Sequence, residues 1–322
     1  MTLLFINATR KWGGVKTWTL AFGQQLQVRG HRVVAAVREG TPFEAACRRS
    51  GFVTWPLRFR FKFDPVTLAA LVRVFRSEKP DVAVVNISKD LELGALAGRL
   101  CRVPVVHRVG LVEDYRDRLG ERLWHLRMVD RVVVPAYWMA RELPRRFPWI
   151  DADRLRVVPN GRAGASMPEA RGAGGEGFVV GTTSQLSPSK GHDVLFQGVS
   201  LARERGVDVR LRVAGTGDLA GDLARRAEQL GIADRVEFLG FQEHVPAFLA
   251  GLDAFALPSV KEGFPNALLE ALWVGLPTIS SDLPGTREMA EGCGVLVPAF
   301  GVLAWTEALS HLAGDTKERV RL

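Results

Sequence analysis

Short apolar runs alternate with stretches of helical periodicity along nearly the whole chain. In the first half, Thr2–Ala8, Arg32–Val37, Phe52–Leu57, Asp81–Ile87, Val103–His107 and Arg131–Ala136 are rich in β-branched residues. Such runs fit strands of a parallel sheet that is covered by helices on both faces. Between them, apolar residues recur at helical spacing: Trp18, Phe22 and Leu26 in one segment, Leu68, Leu71, Val72 and Phe75 in another. Alternation of this kind predicts an α/β protein with a doubly wound, Rossmann-like parallel sheet. A second series starts at Phe178–Thr183 and continues through Val209–Gly215, Arg235–Phe241, Ala254–Ser259 and Pro277–Asp282, with a helix expected over Val302–Leu312. Arg162–Gly177 has no periodicity and is rich in Gly, Ala and Pro, as linkers are. The expected organisation is a domain over 1–161, a linker over 162–177 and a domain over 178–322.

A chain of 322 residues suits two domains, and 47% apolar with 24% charged residues suits globular folding. Cys47, Cys101 and Cys293 are scattered and odd in number, which matches neither a disulfide framework nor a metal pattern. They read as inert thiols in a reducing compartment. Thr2–Ile6 enters a strand-like run directly, without the charged-then-apolar signature of a signal peptide. No stretch has the apolar length of a membrane span. The expectation is a cytoplasmic protein. Charge is uneven: residues 1–164 hold 29 Lys and Arg against 15 Asp and Glu, and residues 165–322 hold 14 against 20. The basic half suits an anionic partner, although an arginine-rich composition alone could produce it.

Candidate chemistry lies in the loops that follow strands, where α/β folds bind ligands. Glu262-Gly263-Phe264-Pro265-Asn266-Ala267-Leu-Leu-Glu270 sets two carboxylates around Pro265, which is favoured at the first position of a helix. The amides of Asn266, Ala267 and Leu268 then lie at a positive helix end suited to a phosphate, with Glu270 about a turn deeper. Two surface glutamates near a helix start are the plainer reading. Lys190-Gly191, at the start of the first helix of the second domain, offers a point charge and a flexible backbone for a diphosphate; as a bare pair it is a common turn. Gly13-Gly14 opens the first helix. Gly215-x-Gly217-x-x-x-Gly221 lacks the spacing of a dinucleotide fingerprint. His107 closes a strand, where a structural histidine is the commoner outcome. Arg58-Phe-Arg-Phe-Lys62-Phe63 alternates cations and aromatics: an edge strand with Arg58, Arg60 and Lys62 on one face, or a loop docking on an anionic membrane. Arg141–Trp149 adds a second basic-aromatic patch.

The Glu-x7-Glu arrangement, between a strand ending Pro258-Ser259 and the helix Ala-Leu-Leu-Glu-Ala-Leu, resembles the donor site of glycosyltransferase family 4. These are retaining enzymes of the GT-B fold, in which two Rossmann-like domains face a cleft. The turn Val157-Val-Pro-Asn160-Gly161 and the segments Leu283–Glu288 and Cys293–Pro298 share the resemblance, which is strong over 178–298 and diffuse over 1–160. It implies transfer of a sugar from a nucleotide-diphosphate sugar, without metal or other cofactor, to an acceptor; a cell-envelope glycolipid or polysaccharide precursor suits the basic first half. It also implies that Glu262 binds the transferring sugar, Glu270 the ribose, and Lys190 the diphosphate, with Gly263 to Ala267 around them. Gly13 and Gly14 would approach the donor phosphates, Gly215 would line the nucleotide pocket, and Phe241 with Gln242 would meet the base. His107 would contact the donor sugar, and Lys16 and Arg108 the acceptor. Gln185 stands where the family has an arginine, and a carboxamide cannot make that bidentate contact. Lys16 stands near a usual acidic place. The family's helices that cross back onto the first domain are not apparent, which implies a shortened C-terminus. The expected location is cytoplasmic, with peripheral attachment to the inner membrane face; no nucleic-acid module is present. Two other functions fit some features: a sugar-nucleotide epimerase of the same fold, using His107 and Glu113, and a non-catalytic binder of anionic surfaces. A nicotinamide oxidoreductase lacks its fingerprint.

Overall fold

Two wholly parallel sheets organise the computed structural model, which describes the chain except Lys11, Lys62, Ile87, residues 162–176 and the side chains of Ser88 and Lys89. The chain divides into two compact units, Met1–Ala163 and Gly164–Leu322. The linker expected over 162–177 lies, apart from Gly177, outside the described residues.

In the N-terminal unit the elements are β1 Thr2–Asn7, α1 Gly14–Val28, β2 Arg32–Arg38, α2 Pro42–Arg49, β3 Val53–Leu57, α3 Pro65–Glu78, β4 Val82–Val85, α4 Ser88–Cys101, β5 Val105–Arg108, α5 Leu119–Met128, β6 Arg131–Val134, α6 Tyr137–Arg146 and β7 Leu155–Val157. Strand order is β3-β2-β1-β4-β5-β6-β7. The C-terminal unit repeats the winding: β8 Phe178–Thr183, α7 His192–Glu204, β9 Val209–Ala214, α8 Ala220–Gln229, β10 Val236–Gly240, α9 Val245–Ala250, β11 Ala254–Leu257, α10 Asn266–Val274, β12 Thr278–Ser281, α11 Pro284–Ala290, β13 Val295–Val297, α12 Val302–Gly314 and α13 Thr316–Arg321. Its order is β10-β9-β8-β11-β12-β13. In each sheet the order reverses beside the first strand, between β1 and β4 and between β8 and β11. Ligand crevices of open α/β sheets form there, beyond the carboxyl ends of the strands.

Each sheet is buried on both faces, as its unbroken apolar runs require. Leu4 and Ile6 join α3 and α4 in one core, while Phe5, Val33 and Val84 meet Trp18 and the α2 side chains Phe43 and Cys47 in another. Burial pushes the Cys47 thiol up to about 12, so it is inert as expected. In the C-terminal unit Trp305 of α12 is fully buried against α7, where Gly198 leaves room for it.

The alternating stretch 58–63 is a loop, not a strand. β3 ends at Leu57, and Phe63 takes a left-handed conformation at φ 62°. Only Phe59 turns into the core; Phe61 and Phe63 are 59% and 47% exposed. Arg58 pairs with Glu39 at 2.8 Å, Arg60 is exposed, and Phe63 meets Trp124 edge-on. Lys62 lies outside the described residues. The helix after Pro265 also begins one residue later than expected: Pro265 is its cap, with ψ 117°, and Asn266 is its first residue.

Candidate functional site

The loops after β8, β9 and β11 are knitted together at the carboxyl edge of the C-terminal sheet. Ser184 and Leu186 donate from their N–H groups to the Ala214 and Thr216 carbonyls, and the Val260 N–H donates to the Ser189 carbonyl. Two glycines allow this closeness. Gly191, at φ 64°, leaves no room for a side chain: a Cβ there would stand 2.0 Å from the Pro258 carbonyl oxygen. Gly215, at φ 145°, would clash with the Ser184 carbonyl oxygen at 1.8 Å.

This packing brings Lys190, from the β8 loop, onto Glu262, from the β11 loop. The Lys190 Nζ donates to Glu262 Oε1 at 2.6 Å, and Ser259 Oγ donates to the same oxygen at 2.7 Å. The Glu262 and Lys190 side chains are 11% and 24% exposed, so the pair is shielded yet reachable. Behind it α10 begins. The first amides of an α-helix have no acceptor inside the helix and carry the positive end of its dipole; here the earliest intrahelical bond runs from Leu269 N–H to the Pro265 carbonyl. Gly263 and Pro265 are buried, and Phe264, Asn266, Ala267 and Glu270 are half-buried. His192, first residue of α7, accepts or donates at Nε2 with Ser184 Oγ at 2.9 Å. Burial first, then the Lys190 cation, lower its pKa to about 4. Gln185 is exposed beside this loop, and Phe241, just past β10, is 58% exposed. Ser259 is the residue that motif reading passed over; its place in Pro-Ser before Glu262 was the available signal.

The N-terminal unit corrects three assignments. His107 is 2% exposed and both ring nitrogens are engaged: Nε2 donates to the Asn86 carbonyl at 2.8 Å, and Nδ1 faces the Tyr115 hydroxyl at 2.9 Å. A carbonyl only accepts, so Nε2 holds the proton and Nδ1 accepts from Tyr115. The Tyr115 oxygen then accepts from Nδ1 of His125 at 3.1 Å. Burial lowers His107 to about 4 and His125 to about 3, so both rings are neutral. His107 is therefore a member of an internal chain rather than a group held out to a sugar. Lys16 is 1% exposed, and its ammonium donates to the carbonyls of Thr9 and Arg10 at 3.1 and 3.2 Å. It braces the glycine loop from beneath, and does not face an acceptor. Burial lowers its pKa to about 8. Gly13 caps α1 in extended conformation and Gly14 opens it. Arg108 is 5% exposed, stacked 4.3 Å over the Trp18 ring, and donates to Asn160 Oδ1 at 3.1 Å. It packs against the Val-Pro-Asn-Gly turn instead of standing open beside His107.

Comparison with known proteins agrees with this geometry. Residues 12–162 match the model of Glycosyltransferase Family 4, and residues 177–315 match that of Glycosyl transferases group 1. The GDP-mannose-dependent alpha-(1-6)-phosphatidylinositol monomannoside mannosyltransferase of Mycolicibacterium smegmatis is 34% identical, aligned over 95% of this chain and 87% of its own. The UDP-Gal:alpha-D-GlcNAc-diphosphoundecaprenol alpha-1,3-galactosyltransferase of Escherichia coli is 26% identical over 78% of this chain and 71% of its own. Among solved structures, Anabaena Alr3699/HepE in complex with UDP and glucose superposes with a TM-score of 0.82 at 19% identity, over 100% of this chain and 92% of that one. Two doubly wound parallel sheets, with the Lys190–Glu262 pair at the reversal of the second, define a glycosyltransferase of the GT-B type. The chain belongs to glycosyltransferase family 4.

The histidine chain sets a pH dependence. His107 and His125 have folded pKa values of about 4 and 3, below the unfolded value near 6.5. The unfolded chain therefore binds more protons between those values, and the stability supplied by the neutral rings is lost as pH falls from about 6.5 toward 4. Melting temperature should drop over that window. Tyr115→Phe removes the hydroxyl that both Nδ1 atoms face and should cost about 1–3 kcal/mol at pH 7 in urea unfolding. An unchanged midpoint would show that the hydrogen-bond chain is idle.

Proposed function

We propose that the C-terminal unit binds a nucleotide-diphosphate sugar at the carboxyl ends of β8, β9 and β11, and that its sugar is transferred with retention of configuration to an anionic or lipid-linked acceptor held by the N-terminal unit. The observation that carries this reading is the Lys190–Glu262 pair lying before α10, at the reversal of the sheet. The leaving diphosphate gathers negative charge as the glycosidic bond breaks. Lys190 and the amides at the start of α10 meet that charge where it develops, which is the largest catalytic contribution in many enzymes. In this reading the neutralisation needs no metal. Glu262, released from Lys190 when the diphosphate takes the lysine's charge, accepts hydroxyls of the transferring sugar. Glu270 takes the ribose hydroxyls. Gly263, Phe264, Pro265, Asn266 and Ala267 shape the wall, with Gln185, Gly215 and Phe241 bordering the nucleotide.

The lipid-linked acceptor is supported by the basic N-terminal half and by the printed substrates of the two relatives, a phosphatidylinositol mannoside and a diphosphoundecaprenol. Among the described residues no helix is long and apolar enough to cross a membrane. Peripheral attachment at the inner membrane face fits the exposed Phe61 and Phe63 set beside Arg58 and Arg60, an arrangement suited to an anionic interface.

Two experiments test these readings. UDP, GDP and ADP with their common sugar conjugates should be compared by thermal shift; one of them at about 100 times its dissociation constant adds about 2.7 kcal/mol of stability. Lys190→Ala and Glu270→Ala should abolish that shift, and Lys190→Ala should remove most of the transfer rate. A flat response to every nucleotide would reject the donor site. For the membrane, vesicles with anionic lipid should retain the protein, and Phe61→Ser with Arg58→Glu and Arg60→Glu should release it; indifference to these changes would reject the docking loop.

A further inference from the structure

One carboxylate oxygen in the C-terminal unit carries two donors. Glu262 Oε1 accepts from Lys190 Nζ at 2.6 Å and from Ser259 Oγ at 2.7 Å. Ser259 is fully buried, two residues beyond β11. The backbone that bears Glu262 is held on two sides. The Val260 N–H is tied to the Ser189 carbonyl. The start of α11 presses from the other side: a Cβ on Gly285 would stand 2.2 Å from the Gly263 carbonyl oxygen and 3.1 Å from that of Glu262. Thr286 fixes that start, its Oγ1 accepting from the Leu283 N–H at 3.0 Å. Lys190 is held less firmly. It ends a single short turn, Pro188–Lys190, and its side chain is 24% exposed against 11% for Glu262. When a ligand separates the pair, the lysine moves and the carboxylate stays.

The pair is not needed to fasten the two loops. The backbone already joins them, through Val260 on Ser189 and through the close passage of Gly191 by the Pro258 carbonyl. Its effect differs between two ligands that share a diphosphate. A nucleotide diphosphate alone draws Lys190 to its phosphates and returns nothing to Glu262. Of the two donors on Oε1, only the neutral Ser259 hydroxyl then remains. Separating a shielded ion pair is costly when one charge is left uncompensated. An intact nucleotide-diphosphate sugar draws the lysine in the same way, but it brings hydroxyls to the carboxylate. Hydrogen bonds to a charged group are stronger than neutral ones. The pair therefore resists the spent nucleotide and yields to the donor.

We propose that Lys190, Glu262 and Ser259 form a latch, which makes the site select an intact nucleotide-diphosphate sugar over the nucleotide diphosphate left after transfer. Glu262 is the selecting group. Ser259 is a positioning residue: it keeps the carboxylate in place and partly compensated while Lys190 is on the diphosphate. Once the transferred sugar departs with the acceptor, Lys190 returns to Glu262 and the hold on the diphosphate weakens. This rests on the donor reading given above and adds to it an order of affinities and a role in product release.

The test is isothermal titration calorimetry on the full chain, with UDP against UDP-glucose and UDP-galactose, and GDP against GDP-mannose. In wild type the conjugate that binds should do so about tenfold more tightly than its own nucleotide diphosphate. Glu262→Gln frees Lys190. It should tighten the nucleotide diphosphate about tenfold while the conjugate gains nothing, so that the preference disappears. Ser259→Ala keeps the ion pair and tests the latch by itself. It removes compensation from the nucleotide complex, where no sugar hydroxyl replaces it, so it should weaken the nucleotide diphosphate more than the conjugate and widen the preference. A residue that only shaped the loop would move both ligands together. Equal affinity of wild type for conjugate and nucleotide, or parallel changes of both in the two variants, overturns the latch and leaves the donor site standing. Absence of binding by every one of these ligands to wild type overturns the donor reading, and the latch with it.

Discussion

The bond between Lys190 and Glu262 joins two loops that the chain separates by six helices and strands, and it holds opposite charges largely shielded from water. Its position depends on backbone approach more than on the charges. Gly191 must pass the Pro258 carbonyl, and Gly215 must pass the Ser184 carbonyl, before the loops after β8, β9 and β11 can share one surface. The parallel order of the sheet brings those loops to one edge. A partly buried ion pair adds little net stability, because desolvation offsets attraction. In the proposed function its value lies in keeping a cation and a carboxylate ready to be exchanged for the charges and hydroxyls of a ligand.

The two units use one winding to different ends. In the C-terminal unit the carboxyl edge presents a charged pair and a helix start. In the N-terminal unit the same edge is closed over by internal bonding: Lys16 under the glycine loop, and His107, Tyr115 and His125 in a chain that keeps both imidazoles neutral. Among the described residues, Asn7 Nδ2 and both carboxamide atoms of the buried Asn86 have no hydrogen-bond partner there. In the proposed function the C-terminal unit handles the charged leaving group and the N-terminal unit holds the acceptor.

The fold was legible because strands covered on both faces have a simple signature. Apolar residues run unbroken through Leu3–Ile6 and Phe178–Val180, and the observed strand bounds differ from expectation by a residue or two. The motif around Glu262 was legible for a similar reason, since its geometry is mostly local: a strand, a loop and a helix cap. Local rules failed where the partner was remote or where two patterns competed. The alternation of 58–63 mimicked a strand, but the left-handed Phe63 and a single inward phenylalanine were enough to make a loop. His107 stood correctly at a strand end, while Tyr115, Asn86 and His125, which decide its role, are not readable as its neighbours. Asn86 lay unnoticed in an apolar run, because a carboxamide without a partner is a property of three-dimensional packing.

A crystal structure of the protein with UDP, or with the nucleotide diphosphate that proves to bind, tests the central claim most directly. The account predicts the diphosphate at the start of α10, within hydrogen-bond distance of Lys190 Nζ, with the 2.6 Å bond to Glu262 opened and Glu270 on the ribose. A nucleotide bound elsewhere, with Lys190 still on Glu262, would contradict it.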